Sequence, residues 1–191
     1  MLKDLVLKNR TYRRFYGDFK VDCSTLKELV DLARLSSSAG NKQPLRYVLS
    51  CDKGRNDLIF PNLSWAASLK DWDGPEIGER PSAYIFMLAD KEAQPNYYNW
   101  DAGIAASAIM LGATERGLGG CIIASVNRSD LATTLNIPDK YVIVFVLAIG
   151  KPKETVVLEP VAEGGSITYY RDENQVHHVP KRALEDIILD I

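Results

Sequence analysis

The sequence predicts a domain of mixed class, α/β or α+β. Short apolar runs with strand character are interleaved with segments of helical spacing, and that alternation lays helices against a sheet. The chain has 191 residues, about one domain's worth and enough to bury a sizeable core. With 46% apolar and 25% charged residues, its balance is that of a globular protein rather than a disordered chain.

Leu2, Leu5 and Val6 predict a short opening helix that ends near Asn9. Thr25 and Glu28 have the spacing of a capping box, and Leu26, Leu29, Val30 and Ala33 follow at helical intervals. That helix stops in the polar run from Ser36 to Asn41. Leu45, Tyr47, Leu49 and Cys51 alternate, as in a strand. Ala83 to Ala89 is almost continuously apolar and reads as a strand buried on both faces. Trp100 to Arg116 is the longest helical candidate. Ala102, Gly103, Ala105, Ala106, Ser107, Ala108, Gly112 and Ala113 make it a helix of small side chains, suited to packing on several sides. Gly117 supplies its stop. Gly119 to Ala124 and Tyr141 to Ile149 read as further strands, with a short helix at Leu131 to Leu135 between them. Lys151 to Gly165 reads as an extended arm, and Ala183 to Leu189 as a closing helix. The segment after the arm is too short for a core of its own.

The net charge of −2 gives no general attraction for nucleic acid or an anionic membrane. Any anion site must be local. Cys23, Cys51 and Cys121 are odd in number, widely spaced and free of CxxC pairs. They suggest neither a disulfide framework nor a metal cluster, and a reduced, cytoplasmic setting is expected. Asp4 and Lys8 interrupt any signal-peptide core. The longest apolar run, Tyr141 to Ile149, falls well short of the ~20 residues that span a bilayer.

Four segments could carry chemistry. Asn9-Arg10-Thr11-Tyr12-Arg13-Arg14-Phe15 gathers three guanidinium forks and a threonine hydroxyl at a helix exit, a composition that matches phosphate oxygens. Its plain reading is a solvated basic face. Ser37-Ser38-Ala39-Gly40-Asn41-Lys42-Gln43-Pro44 is a loop of small and carboxamide residues that can approach a flat ligand of mixed polarity; otherwise it is a simple turn. Gly117 to Ser125 leads into a strand and so does not match the dinucleotide fingerprint. His177 and His178 are adjacent on an extended segment, so they point to opposite faces and do not chelate one metal. Lys181 and Arg182 precede the expected closing helix, the wrong end for its dipole, and would make sense beside a shared anion. No phosphate loop, nucleophile elbow or HExxH motif is present.

Taken in order, Arg10 to Phe15, Ser38 to Pro44, Asp101 to Ala113, Gly117 to Cys121 and Gly150 to Pro152 resemble the flavin-dependent nitroreductase family. The resemblance spans nearly the whole chain. It implies an α+β fold with a central, mostly antiparallel sheet surrounded by helices. It implies one domain over residues 1–191, an interlocked homodimer with FMN at its interface, and residues 151–170 as an arm embracing the partner. It implies that Arg10, Thr11 and Arg13 hold the FMN phosphate and ribityl chain, with Lys181 or Arg182 returning to the phosphate. Ser38, Ala39 and Asn41 would line the isoalloxazine with Gln43 in support, and Ile123, Ala124 and Ser125 would present backbone amides to the ring. Two positions depart from the family pattern: Asn9 stands where a second basic residue is common, and Ser37 where proline is.

The implied activity is that of an FMN-dependent NAD(P)H oxidoreductase, passing hydride through flavin N5 to a nitroaromatic, quinone or similar small acceptor in ping-pong turnover. No side chain is assigned a catalytic role, since the cofactor carries the chemistry. Dehalogenation, azoline oxidation or flavin fragmentation on the same scaffold, and a non-catalytic flavin sensor, are the alternatives.

Overall fold

The computed structural model describes residues 1–93, 95–162 and 164–191. Helix α1 (Leu2–Lys8) leads into an extended basic segment, then α2 (Cys23–Leu35) and β1 (Leu45–Ser50). Helix α3 (Lys53–Ile59) and β2 (Ala83–Asp90) follow, then α4 (Pro95–Glu115), β3 (Gly119–Ile123), α5 (Arg128–Leu135) and β4 (Tyr141–Gly150). The chain closes with β5 (Val156–Pro160), β6 (Tyr170–Arg171) and β7 (His177–Lys181).

The first four strands form one sheet in the order β1-β2-β4-β3, antiparallel throughout. Alternation along β2 explains its continuous apolar sequence. Ala83, Ile85 and Met87 face α2 and α4, while Tyr84, Phe86 and Leu88 face a second cluster with Ile59, Trp65 and Leu131. Both faces are covered, so every position from Ala83 to Ala89 is buried. The small residues of α4 do what their size suggests. A Cβ at Gly112 would collide with Leu32 of α2, so glycine there sets how closely the two helices approach.

Several expectations are corrected. The first turn of α2 starts at Cys23 with Asp22 as N-cap, two residues before Thr25, so Thr25 and Glu28 lie inside the helix and make no capping box. Cys23 and Cys51 are joined in a disulfide that ties the start of α2 to the end of β1, with Cα atoms 5.7 Å apart. Wide spacing in sequence concealed this, because the α2–β1 hairpin returns the chain to its starting point. The expected closing helix is absent: Ala183 to Leu189 forms only turns, with its apolar side chains exposed.

The expected arm spans 151–170, of which residue 163 lies outside the described residues. Its strand β5 runs parallel to β7 of the same chain, and β6 completes a three-stranded sheet in the order β5-β7-β6. Among the described residues no helix is long and apolar enough to cross a membrane.

Candidate functional site

The basic segment after α1 is pinned along the edge of the main sheet. Tyr12 N–H donates to the Gly120 carbonyl at 2.9 Å, and Phe15, fully buried, pairs with Pro152. A Cβ at Gly119 would strike the Tyr12 ring, so the glycine that opens β3 makes room for this segment. Extended geometry then sends alternate side chains to opposite sides. Arg14 turns away and forms a forked pair with Glu79, at 2.5 and 2.8 Å. That guanidinium, with Lys153, holds the Glu79 carboxyl down at about 2. Arg14 is therefore structural.

Arg10, Thr11 and Arg13 open into a cleft of about 440 Å³ whose wall also includes Ser107 of α4 and His177 and Lys181 of β7. Arg13 is buried. Its backbone N–H donates to the Glu154 carboxylate, its Cζ lies 4.9 Å from the Tyr169 ring centre, and its Nη1 lies 3.3 Å from His177 Nε2. The other Glu154 oxygen accepts from Arg171 at 3.1 Å in a buried ion pair. Around this cleft three buried nitrogens have no hydrogen-bond partner among the described residues: Arg10 Nε, Arg13 Nε and His177 Nδ1. Buried donors normally find acceptors. The guanidinium groups of Arg10 and Arg13 make this cleft cationic, the complement of an oxyanion, and a phosphate monoester fits that charge.

The loop after α2 builds a different site. Ser38 Oγ donates to Asp101 Oδ2 at 2.5 Å and the Ala39 amide to Asp101 Oδ1 at 2.8 Å; the Gln43 amide donates back to Ser38 Oγ at 2.9 Å. Gln43 Nε2 reaches the Asn41 side chain at 3.1 Å. Gly40, Asn41 and Gln43 all take left-handed backbone conformations, which folds the loop tightly onto α4. Ser38 and Gln43 line a second cavity of about 440 Å³, with Tyr47, Leu49, Asp101 and Ala105. Burial pushes the Tyr47 hydroxyl up to about 12, so it stays protonated. Asp101 was visible in sequence only as the first residue of a helix motif. Its work as the anchor of the loop appears once the Ser38 hydroxyl and the Ala39 amide converge on it.

The two cavities flank α4, which turns Gly103 and Ser107 toward the first and Asp101 and Ala105 toward the second. The expected site residues are thus divided. Arg10, Thr11, Arg13 and Lys181 meet in one cleft; Ser38 and Gln43 line the other, with Ala39 and Asn41 in the loop above it. Ile123, Ala124 and Ser125 line neither. Ile123 belongs to the core of the second sheet face, and the carbonyls of Ala124 and Ser125 accept from Arg128 and from the Ser64 amide. Arg182 is exposed and lines neither cavity. Lys181 ends β7 rather than preceding a helix. His177, which sequence reasoning considered only as a metal ligand, is a buried wall residue of the first cleft. Among the described residues no group of side chains is arranged to hold a metal ion.

The profile of the nitroreductase family matches residues 6–151, which include the basic segment, the Ser38 loop, α4 and the main sheet. The chain belongs to the nitroreductase family. This makes it an oxidoreductase by family and accounts for the antiparallel sheet with its surrounding helices. A nitroreductase family protein from Streptococcus pneumoniae TIGR4 superposes over all of both chains with a TM-score of 0.70 at 18% identity. An FMN-dependent nitroreductase from Clostridium difficile R20291 is 26% identical, with a TM-score of 0.62 over 78% of this chain and 87% of its own. By sequence, the chain is 25% identical over 169 residues to the 5,6-dimethylbenzimidazole synthase of Rhodospirillum rubrum, covering 76% of this chain and 79% of that one. It is also 25% identical over 148 residues to a protein of Archaeoglobus fulgidus provisionally named an NADH dehydrogenase/NAD(P)H nitroreductase, covering 74% and 80% respectively.

Proposed function

We propose that this protein is an FMN-dependent oxidoreductase that takes hydride from NAD(P)H and delivers it to a nitroaromatic, quinone or similar small acceptor in the cytoplasm. The observation that carries the reading is the first cleft, where Arg10, Thr11, Arg13 and Lys181 converge. These residues would hold the phosphate and ribityl chain. Ser38, Ala39, Asn41 and Gln43 would line the ring, with Ile123, Ala124 and Ser125 at its edge and Arg182 as a second cation beside Lys181. Bound FMN supplies the hydride-accepting and hydride-donating chemistry. The cationic cleft holds the anion, and the Ser38–Asp101 clasp keeps the loop amides and carboxamides in fixed positions before any ligand arrives. No side chain is needed as acid or base.

The division of the site across α4 supports a homodimer, with the phosphate cleft of one copy and the Ser38 loop of another serving one flavin. The exposed apolar side chains of α1 and of the C-terminal turns, Leu2, Val6, Leu184, Ile187 and Ile188 among them, suit burial by a second copy. The likeness to a 5,6-dimethylbenzimidazole synthase favours a second reading, flavin fragmentation on the same site.

The visible spectrum of the purified protein, taken before and after NADH or NADPH under nitrogen, tests the proposal. A flavin band that bleaches is the expected result. A flavin band indifferent to both nicotinamides moves the assignment to the second reading or to a sensor. A colourless protein that takes up no added FMN overturns it.

A further inference from the structure

Helix α2 and strand β1 leave the Ser38 loop as two limbs of a hairpin, and the second cavity lies between them. Val30 and Ala33 wall it from α2, Tyr47 and Leu49 from β1. At the loop end the limbs are set by the bonds of Ser38 and Ala39 to Asp101. At the other end Cys23, the first residue of α2, is bonded to Cys51, the residue after β1. The charged side chains of α2 pair elsewhere, Arg34 with Asp31 of the same helix and Glu28 with Arg116 beyond α4. Across the gap the limbs meet through apolar side chains and through the bridge. Cys51 also stands in the wall of a third cavity, of about 660 Å³, and both bridge residues are partly exposed. The cations of that cavity, Lys20, Lys53 and Arg80, are matched by Asp18, Asp52 and Asp57, so it suits a small solute of little net charge.

We propose that the Cys23–Cys51 bridge is a thiol–disulfide exchange site, entered by a low-molecular-weight thiol through the third cavity at Cys51, and that the exchange sets the spacing of the second cavity's walls. The exchange stands without the FMN reading above; its effect on flavin rests on that reading. The incoming thiolate bonds to Cys51 Sγ, the Cys23–Cys51 bond breaks, and Cys23 leaves as a thiolate that takes a proton from water. A second thiolate attacks the sulfur of the bound thiol, forms the small-molecule disulfide and frees Cys51. Two thiols are oxidised and the bridge gains two electrons. The direction follows from the leaving group. Cys23 opens a helix of 13 residues, where the dipole stabilises a negative sulfur, and the Asp22 side chain makes no capping bond to compete for the first-turn amides. Cys121 takes no part, being buried with its thiol pushed up to about 11 by that burial. Disulfides that persist in a reducing cytoplasm are usually exchanging ones.

Reduced glutathione is the probe. The native, unreduced protein is incubated with it in urea below the unfolding transition, trapped with a maleimide, and its peptides are identified by mass. Glutathione on Cys51 and maleimide on Cys23, at a rate indifferent to urea, is the expected result. Glutathione on Cys23 instead, or a rate that climbs with urea as global unfolding does, overturns the exchange site. Labelling of Cys23 and Cys51 before any thiol is added does the same, because the bridge is then not formed. The effect on the second cavity is read by FMN titration. Reduction should weaken FMN binding about threefold to tenfold, the effect of leaving one or two side chains of the ring wall to be ordered on binding, and oxidised glutathione should restore it. The double variant Cys23→Ser, Cys51→Ser should bind FMN as the reduced wild type does and ignore both reagents. An affinity unchanged by reduction overturns the control of the cavity. A protein that binds FMN in neither state brings down the FMN reading, while the adduct at Cys51 still decides the exchange site.

Discussion

Strands β2 and β7 each run down the middle of a sheet, but they are held there by different forces. All of β2 from Ala83 to Ala89 is apolar in side chain save the Tyr84 hydroxyl, and helices cover it on both faces. Strand β7 reads His-His-Val-Pro-Lys, and its neighbours are five and two residues long. Its anchors are polar: His177 against Arg13, and His178 between Asp172 at 3.2 Å and Glu159 at 3.0 Å. Apolar burial is insensitive to pH and needs no ligand, whereas a sheet built on charge and imidazole depends on both. The main sheet is therefore the scaffold, and the C-terminal sheet is the part of the molecule that responds to its surroundings.

The largest effect should come from emptying the scaffold. Phe86 is wholly buried in β2, and Phe86→Ala should cost about 3–5 kcal/mol, since the covered faces limit collapse onto the cavity. Urea unfolding measures it. A loss under 1 kcal/mol would mean that this face of the sheet is loosely packed and would erase the contrast with β7.

The disulfide belongs to the scaffold and comes next. It closes a segment 28 residues long that contains the Ser38 loop, and reducing it should cost about 3 kcal/mol by relaxing the constraint on the unfolded chain. Urea curves with and without a dithiol give the value. Thiol titration of the unfolded, unreduced protein should find Cys121 alone. Three reactive thiols would show that the bridge does not form and would restore the expectation of a fully reduced chain.

How far the sequence was legible follows the same divide. Period and apolar runs were enough for α2, α4 and all four strands of the main sheet, because burial writes itself into pattern. Strand β7 carries a proline at Pro180, a residue that argues against the middle of a sheet, and no apolar alternation marks β5 or β6. Helix α3 was missed because it buries only Asn56 and Ile59. At the candidate site, arginines and loop residues were readable by type. The Ser38–Asp101 clasp and the burial of His177 were not, since each depends on partners at least 60 positions away.

Arg13 joins the two regions: the preceding Tyr12 amide bonds to Gly120 of the main sheet, and the Arg13 guanidinium lies against His177 of β7. Arg13→Ala should weaken FMN binding by about 1.5–3 kcal/mol, the worth of a hydrogen bond to a charged group. Lys53→Ala, on the exposed end of α3, is the control. Equal affinities in a fluorescence titration would remove Arg13 from the phosphate site.

The smallest effect is also the most diagnostic, because the two histidines of β7 respond to pH with opposite signs. Hydrogen bonds to Asp172 and then Glu159 raise the His178 pKa above its usual 6.5. Its contribution to the sheet is complete below the unfolded value and is lost as pH rises through the raised one. His177 is depressed to about 4. Its unfolded form takes up a proton that the folded form refuses, so its contribution is present above 6.5 and is lost as pH falls from there toward 4. The arm should therefore be most stable near neutrality and loosen on both sides, while the main sheet stays unchanged. Amide exchange resolved by NMR for β5 and β7, corrected for the intrinsic pH dependence and followed from pH 5 to 9, reads both limbs. His178→Leu should abolish the alkaline limb and leave the acid one. If it flattens both, the two imidazoles titrate as one unit, and β7 is not two independent faces but a single coupled network.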